Sequence, residues 1–187
     1  MNSICFDVFT LGNHEFDDGE AVLAKFLDHL RDGACNTSVL SANIIPKVGT
    51  VLAPLTPGDY IKPWVSAAGA RLGAAVAVVS GITIKSTTTM SSQPLPTTVF
   101  LDEVVAAQAA IDDATARGFT RIVLTTHQGY DADLALAAQL RGVDAIVGGH
   151  SHTLLGDGAG VGLVTKGPYP TTARDADGRL VCVAQVT

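Results

Sequence analysis

The stretch Gly142-Val-Asp-Ala-Ile-Val-Gly-Gly-His-Ser-His152 joins a short apolar run to two glycines and a His-x-His pair. Its apolar run, Val143 to Val147, is typical of a buried strand. Gly148 and Gly149 let the backbone turn tightly directly after that run. The stretch therefore predicts a strand that carries two histidines into a loop at its carboxyl end.

Two more histidine-bearing loops follow predicted strands in the same way. Gly12-Asn-His-Glu15 follows the β-rich run 6–11, and Thr126-His-Gln-Gly129 follows the run 121–125. Ligands collect at the carboxyl ends of strands in α/β sheets, so we expect the three loops to converge although they are far apart in sequence. A metal is the usual reason for such convergence. A His-x-His pair in a loop suits two ions that share a site better than one ion held by both rings.

The remaining pattern predicts a layered α/β fold in a single domain, because strands and helices alternate. Apolar residues recur at helical spacing from Gly19 to a cap at Gly33, and again over 101–118 and 131–140. Further strands are predicted over 38–42, 74–79 and 143–147, with an antiparallel edge or hairpin formed by 163–166 and 180–186. The proline-rich stretch 45–63 and the polar cluster 86–98 are predicted to be surface loops.

Composition excludes several classes of function. The 12 Lys and Arg residues are scattered among 18 Asp and Glu residues, giving a net charge of −6, so no basic stripe is present to bind polymeric nucleic acid. The longest uncharged apolar stretch, 72–84, is short of the roughly 20 residues that a membrane helix needs. The first residues also lack the pattern of a signal peptide, so the sequence predicts no membrane span and no export signal in this chain.

Three cysteines, Cys5, Cys35 and Cys182, form neither a CxxC spacing nor an even set. This argues against a zinc ribbon and against a disulfide framework. We expect them to be buried thiols.

Each candidate residue alone also has a purely structural explanation. His127 could be a hydrogen-bonded core residue, and the loop 148–152 could be flexible and free of ligands. Asp17 and Asp18 could simply be favourable acids near a helix N-terminus. His29, on the first predicted helix, is interpreted as a solvated helix residue.

In their order along the chain, the three histidine loops together resemble the calcineurin-like metallophosphoesterase family. The stretches Leu11-Gly-Asn-His-Glu-Phe-Asp-Asp-Gly19, Leu40-Ser-Ala-Asn-Ile44 and 142–155 are similar to its 5'-nucleotidase branch, and the similarity covers nearly the whole chain. The resemblance implies an αββα sandwich. It also implies a metal-dependent phosphoric monoester hydrolase that releases phosphate from nucleotides by means of water activated between two divalent ions.

The resemblance assigns roles only to residues that match the family motifs. It implies that Asn13, His127 and His150 bind one metal ion and that His152 binds the other. It makes His14 a catalytic histidine oriented by Asp17. The complete family site holds two ions, Zn²⁺, Mn²⁺ or similar, and this chain could hold one. The implied partner is a nucleotide or another small phosphate ester, and the sequence leaves the oligomeric state open.

The chain also departs from the family pattern. The family begins with a strand ending in Asp-x-His and a second ending in Gly-Asp, and neither motif precedes Gly12. We therefore expect residues 1–187 to be a partial metallophosphoesterase domain, without its upstream first strands and without the C-terminal nucleotide-binding domain. The alternative is a catalytically inactive truncated homologue that at most binds one metal ion or a partner.

Two properties stay open at this point. A sister activity, such as cyclic-nucleotide phosphodiesterase, is compatible with the motifs because family specificity resides chiefly in the C-terminal domain. The family resemblance implies a secreted, periplasmic or cell-surface location, whereas the sequence itself shows no signal peptide.

Overall fold

A computed structural model describes residues 2–35, 37–52 and 71–186 together with the strand 59–65. Its strands, in chain order, are β1 (Val8–Thr10), β2 (Ser38–Leu40), β3 (Ile44–Ile45), β4 (Asp59–Val65), β5 (Arg71–Thr83), β6 (Val99–Phe100), β7 (Arg121–His127), β8 (Ala145–Gly148), β9 (Thr171–Arg174) and β10 (Leu180–Gln185). Its α-helices are α1 (Glu20–Arg31), α2 (Lys85–Ser91), α3 (Glu103–Ala116) and α4 (Tyr130–Ala137).

The largest sheet has six strands in the order β4-β5-β7-β8-β10-β9. The four inner strands run parallel, and an antiparallel strand closes each edge. Because the inner strands are parallel, their carboxyl ends lie at the same edge of the sheet. That edge receives the loops that follow His127 and Gly148.

A smaller parallel sheet, β1-β2, lies against one face of the large sheet. Thr10 Oγ1 donates a hydrogen bond to Thr125 Oγ1 over 2.7 Å and so joins β1 to β7. The strands β2 and β5 also lie close together. A Cβ on Gly81 of β5 would overlap the carbonyl oxygen of Leu40 in β2. This contact carries the loop after β1 to the same edge as the other two histidine loops.

Two cores lie on either side of these sheets. Leu23, Leu27 and Leu30 of α1 pack on β1, β2 and the short antiparallel pair β3-β6. On the opposite face of the large sheet, α3 and α4 cover the alternate residues Ile122 and Leu124. The layers are therefore helix, sheet, sheet and helix, which confirms the predicted α/β sandwich.

Most predicted elements are confirmed within a few residues: α1, α3, α4, β1, β2, β5, β7, β8 and β10. The first helix ends at Arg31 with Asp32 at its C-cap, one residue before the predicted Gly33.

The prediction of a surface loop over 86–98 is wrong for its first half, which forms α2. Hydroxyl groups bond back to carbonyls one turn earlier, from Thr89 to Lys85 over 2.9 Å and from Ser91 to Thr87 over 2.8 Å. Ser and Thr are usually poor helix formers, and such bonds satisfy their hydroxyl groups inside a helix. Thr88 is also fully buried, so tertiary packing adds to the stability of this short helix.

Two strand predictions are also corrected. The loop predicted over 45–63 ends earlier, because β4 begins at Asp59 and contains Pro63, while 53–58 lie outside the described residues. Proline is tolerated there because β4 is an edge strand. The strand predicted over 163–166 does not form, and the edge strand beside β10 is β9 instead. The glycine-rich segment before it forms a turn, in which Leu163 N donates a hydrogen bond to Gly158 O.

The expectation of three buried thiols is wrong. Cys5 and Cys35 form a disulfide, with Cα atoms 4.9 Å apart, and Cys182 is an exposed free thiol. The two bonded residues are 30 positions apart, and the parallel pairing of β1 with β2 brings the segments before those strands together. The odd number of cysteines concealed this pairing, since it involves only two of the three.

Candidate metal centre

The side chains of Asn13, His127 and His150 meet at the carboxyl ends of β1, β7 and β8, as the positions of their loops predict. Asn13 Oδ1 lies 3.0 Å from His150 Nδ1. The rings of His127 and His150 are 5.2 Å apart between centroids and inclined at 67°. Asn13 is almost completely buried. The three loops thus place one amide and two imidazoles in a single cluster.

The loop after β1 is shaped to admit the ring of His127. A Cβ on Gly12 would lie 2.7 Å from His127 Nε2, so only glycine leaves room for this ring. Glu15 Oε2 accepts a hydrogen bond from Gly12 N over 2.6 Å and fixes the backbone there. Sequence reasoning missed Glu15 as a supporting residue, although a carboxylate three positions after a glycine was the available signal.

Burial controls the charge of His127. Burial, together with the positive charges of His150, His14 and His152, lowers the pKa of this ring to about 4. The ring is therefore neutral at neutral pH. Its Nε2 is buried and has no hydrogen-bond partner among the residues that the structure describes. A buried nitrogen left in this state costs roughly 1–3 kcal/mol unless another group binds it.

The loop after β8 has an unusual backbone. His150 and His152 have φ angles of +84° and +50°, a region of backbone conformation that residues other than glycine rarely adopt. Ser151, between them, accepts a hydrogen bond from Tyr130 N over 3.0 Å and joins this loop to the start of α4. Burial lowers the pKa of His150, as do the positive charges of His14 and His152.

His14 and Asp17 form a second unit beside the cluster. His14 Nδ1 lies 2.7 Å from Asp17 Oδ2, and this bond raises the pKa of His14 and lowers that of Asp17. Ser92 Oγ donates to the other carboxylate oxygen over 2.9 Å. The sequence did not point to Ser92, because it caps a helix that was predicted to be loop. The side chain of His14 is largely exposed, so its second ring nitrogen is accessible to solvent.

The three clustered donors fit a divalent ion. Ligand atoms about 2.1 Å from one ion are separated by about 3 Å, which matches the distance from Asn13 Oδ1 to His150 Nδ1. Neutral imidazoles and an amide oxygen suit Zn²⁺ or Mn²⁺. Within the described ranges, no group of three His, Cys, Asp or Glu side chains is arranged to hold a metal, since the third member here is an asparagine. His152 is exposed beside the cluster rather than part of it.

Residues outside the cluster behave as their structural interpretation predicts. His29 is an exposed residue of α1, and its carbonyl accepts a hydrogen bond from Asn2 Nδ2 over 2.8 Å. Asp18 is exposed near the start of α1.

None of the helices in the described ranges is long and apolar enough to cross a membrane.

The arrangement of sheets, helices and strand-end loops is shared with known proteins, although no family model matches the chain. A calcineurin-like phosphoesterase from Bacillus subtilis has this fold, with a TM-score of 0.63 at 22% identity over 98% of the chain and 55% of its own. The chain therefore has the fold of a calcineurin-like phosphoesterase.

Other known proteins are more similar to this chain in sequence. The 5'-nucleotidase precursor from Thermus thermophilus superposes with a TM-score of 0.84 at 38% identity, covering 97% of this chain and 33% of that one. The NAD nucleotidase of Haemophilus influenzae gives a TM-score of 0.86 at 30% identity, covering 99% and 34%. A probable 5'-nucleotidase of Treponema pallidum is 36% identical and a snake venom 5'-nucleotidase of Crotalus adamanteus 37% identical, each over 99% of the chain. The chain therefore resembles the 5'-nucleotidase family over 99% of its length. It spans 29% and 30% of the lengths of these two relatives.

Proposed function

We propose that this chain carries part of the active site of a metal-dependent phosphoric monoester hydrolase that releases phosphate from nucleotides. One observation carries the proposal: the buried Nε2 of His127, which has no hydrogen-bond partner among the described residues, lies beside the Asn13–His150 pair. The names of the family relatives support the reaction and its substrate class.

In this proposal Asn13, His127 and His150 hold one divalent ion, and His152 contributes to a second. Divalent ions at such a site supply positive charge that stabilises the oxygens of a phosphoryl group during its transfer to water. Burial keeps His127 neutral, so its lone pair is free for a ligand at neutral pH. Gly12 leaves the space that this ring needs.

His14 acts on the leaving group. Asp17 raises its pKa and occupies Nδ1, which keeps the ring oriented and leaves Nε2 free to donate a proton to the departing ester oxygen. Ser92 holds the second oxygen of Asp17, so the acid pair is fixed from α2 as well as from the loop after β1. No covalent intermediate with the chain is needed.

A second candidate function is supported by the chemistry of the donor set. The cluster consists of three neutral ligands without a carboxylate, and a lone neutral set binds a divalent ion more weakly than one that offsets its charge. On this observation, residues 1–187 by themselves would bind one ion without turning over substrate. The two candidates differ in a measurable property, which is phosphate release.

We also propose that the protein works in an oxidising compartment. The Cys5–Cys35 disulfide supports this, because disulfides persist in secreted and periplasmic proteins and are rare in the cytosol.

The function is tested by phosphate release from 5'-AMP in two forms of the protein. Residues 1–187 alone should fall far below a typical enzyme rate of roughly 10 s⁻¹, since a general acid alone contributes about 10²- to 10⁴-fold. The second form is a chimera in which residues 1–187 replace the matching third of the Thermus thermophilus 5'-nucleotidase. This chimera should hydrolyse 5'-AMP when Zn²⁺ or Mn²⁺ is present.

Matched variants separate chemistry from folding. In the chimera, His14→Ala should lower kcat by about 10²-fold or more, whereas His29→Ala, at an exposed helix position, should leave it unchanged. A folded chimera without phosphatase activity would argue against the hydrolase and for the non-catalytic candidate. Fast turnover by residues 1–187 alone would show that the site needs nothing further.

A further inference from the structure

Asp133 is a buried carboxyl group that the proposed reaction does not use. It lies on α4 and is fully inaccessible to solvent. Its Oδ1 accepts hydrogen bonds from Thr126 Oγ1 over 2.6 Å and from Gln128 Nε2 over 3.1 Å. These two donors stand directly before and after His127. One oxygen of Asp133 therefore holds both neighbours of a candidate ligand.

The other oxygen of Asp133 lies against the strand that leads to His150. A Cβ added to Gly148 would overlap Asp133 Oδ2, so the carboxyl group fills the space of any side chain at this position. Gly148 ends β8, two residues before His150. Oδ2 has no hydrogen-bond partner among the described side chains and backbone groups. Its contact with Gly148 is therefore a packing contact that sets how near α4 and β8 can approach.

The backbone around Asp133 keeps the carboxyl group in this place. Asp133 N donates to Gly129 O over 2.9 Å in the first turn of α4, and Gly149 N donates to Thr126 O over 3.0 Å. Burial raises the pKa of Asp133 to about 6, against the effect of its two hydrogen bonds. A residue whose ionised form is penalised in this way contributes little to stability at neutral pH, so its value lies in geometry.

We propose that Asp133 is a positioning residue that fixes the separation of His127 and His150 by joining the two strand ends that carry them. The inference rests on the proposed function in so far as both rings serve as metal ligands. Groups behind a metal site orient its ligands, and their removal typically weakens metal binding about 10- to 100-fold. Asp133 acts one step further back, through the two residues that flank His127 and through Gly148, two residues before His150.

Zinc calorimetry on residues 1–187 tests the inference. Asp133→Ala should weaken zinc binding by about tenfold or more, because Thr126 and Gln128 lose their common acceptor. Asp133→Asn should retain affinity within about threefold, since its amide oxygen can accept the same two bonds. The matched control is Asp144→Asn: Asp144 Oδ2 accepts from Ile122 N over 2.8 Å at the opposite end of β7 and should not affect zinc.

A second measurement needs no metal. NMR spectra of the histidine rings in the metal-free protein should show His127 and His150 shifting together in Asp133→Ala, with His29 unchanged. If the unaltered chain binds no zinc, the metal proposal fails and these spectra still decide the role of Asp133. Unmoved rings together with unaltered zinc affinity would overturn the inference.

If the Asp133→Ala protein does not fold, a milder variant tests the role of Asp133. Thr126→Val removes one of the two hydrogen bonds to Asp133 Oδ1 and keeps the shape of the side chain. It should weaken zinc binding about threefold and shift the ring of His127 more than that of His29. A folded Thr126→Val protein with neither change would refute the proposal.

Discussion

Burial moves the pKa values of the partly buried His127 and the fully buried Asp133 in opposite directions. Burial lowers the pKa of His127 from 6.5 to about 4 and raises that of Asp133 from 3.8 to about 6. Both groups are therefore neutral in the folded protein near pH 5. The stabilising contribution of His127 is complete above pH 6.5 and is lost as pH falls through 4. That of Asp133 is complete below pH 3.8 and is lost as pH rises through 6.

This opposition predicts the behaviour of Asp133→Asn. Asparagine does not titrate, so the variant should gain stability relative to the unaltered chain as pH rises from about 4 to 7. The gain should reach about 1–3 kcal/mol, since one pKa unit corresponds to about 1.4 kcal/mol and the new amide hydrogens offset part of it. Urea unfolding at pH 4, 5, 6 and 7 measures it. A stability difference that is constant with pH would show that Asp133 keeps an ordinary pKa in the fold.

At the scale of residues, the sequence predicted which side chains cluster at the site but not which residues hold those side chains in place. His127 ends a strand, and Asn13 and His150 stand in the loops just after strands, which is a local signal. Ser92 and Asp17 are 75 positions apart, and Asp133 acts through a glycine on another strand. Such contacts depend on how elements pack, and a single sequence carries no local trace of that packing.

Among the elements, the unit β1, α1, β2 is held by a covalent bond as well as by polar contacts. The Cys5–Cys35 disulfide joins the segment before β1 to the turn after α1. Asn2 Nδ2 donates a hydrogen bond to the carbonyl of His29 over 2.8 Å. The same unit presents Asn13 and His14 to the site, so its rigidity contributes to the placement of both side chains.

The disulfide leads to a stability prediction. Cys35→Ser should lower the free energy of unfolding by about 3–4 kcal/mol, because the bond closes a loop across 30 positions in the unfolded chain. Cys182→Ser, at an exposed free thiol, should change stability by less than about 0.5 kcal/mol. Urea unfolding without reductant compares the two variants. Thiol labelling of the unfolded, unreduced protein should detect one reactive cysteine, and three would contradict the pairing.

Periodicity was a good guide to the elements that bury an apolar face and a poor one elsewhere. The helices α1, α3 and α4 and the inner strands of the large sheet follow from it. It missed α2, whose hydroxyl side chains are bonded within the helix, and β4, an edge strand that accommodates Pro63. In both cases side-chain hydrogen bonds or sheet position override the usual preference of the residue.

For the whole molecule, the parallel order of the inner strands explains why distant loops form one cluster. β7 and β8 are neighbours, and β1 reaches the same edge through its contact with β7. The sequence predicted this convergence from strand–loop alternation and also predicted an antiparallel edge, whereas the strand order and the identity of the edge strands β4 and β9 needed the structure. The layers therefore serve the site by bringing an amide and two imidazoles together from three separate loops.

Calorimetric titration of residues 1–187 with Zn²⁺ at neutral pH tests the central claim, that this cluster is a divalent metal centre. The account predicts about one zinc ion per chain. Binding should be lost in His150→Ala and retained in His29→Ala, which removes an exposed histidine far from the cluster. The absence of any binding heat, or binding that survives His150→Ala unchanged, would contradict the assignment of Asn13, His127 and His150 as ligands.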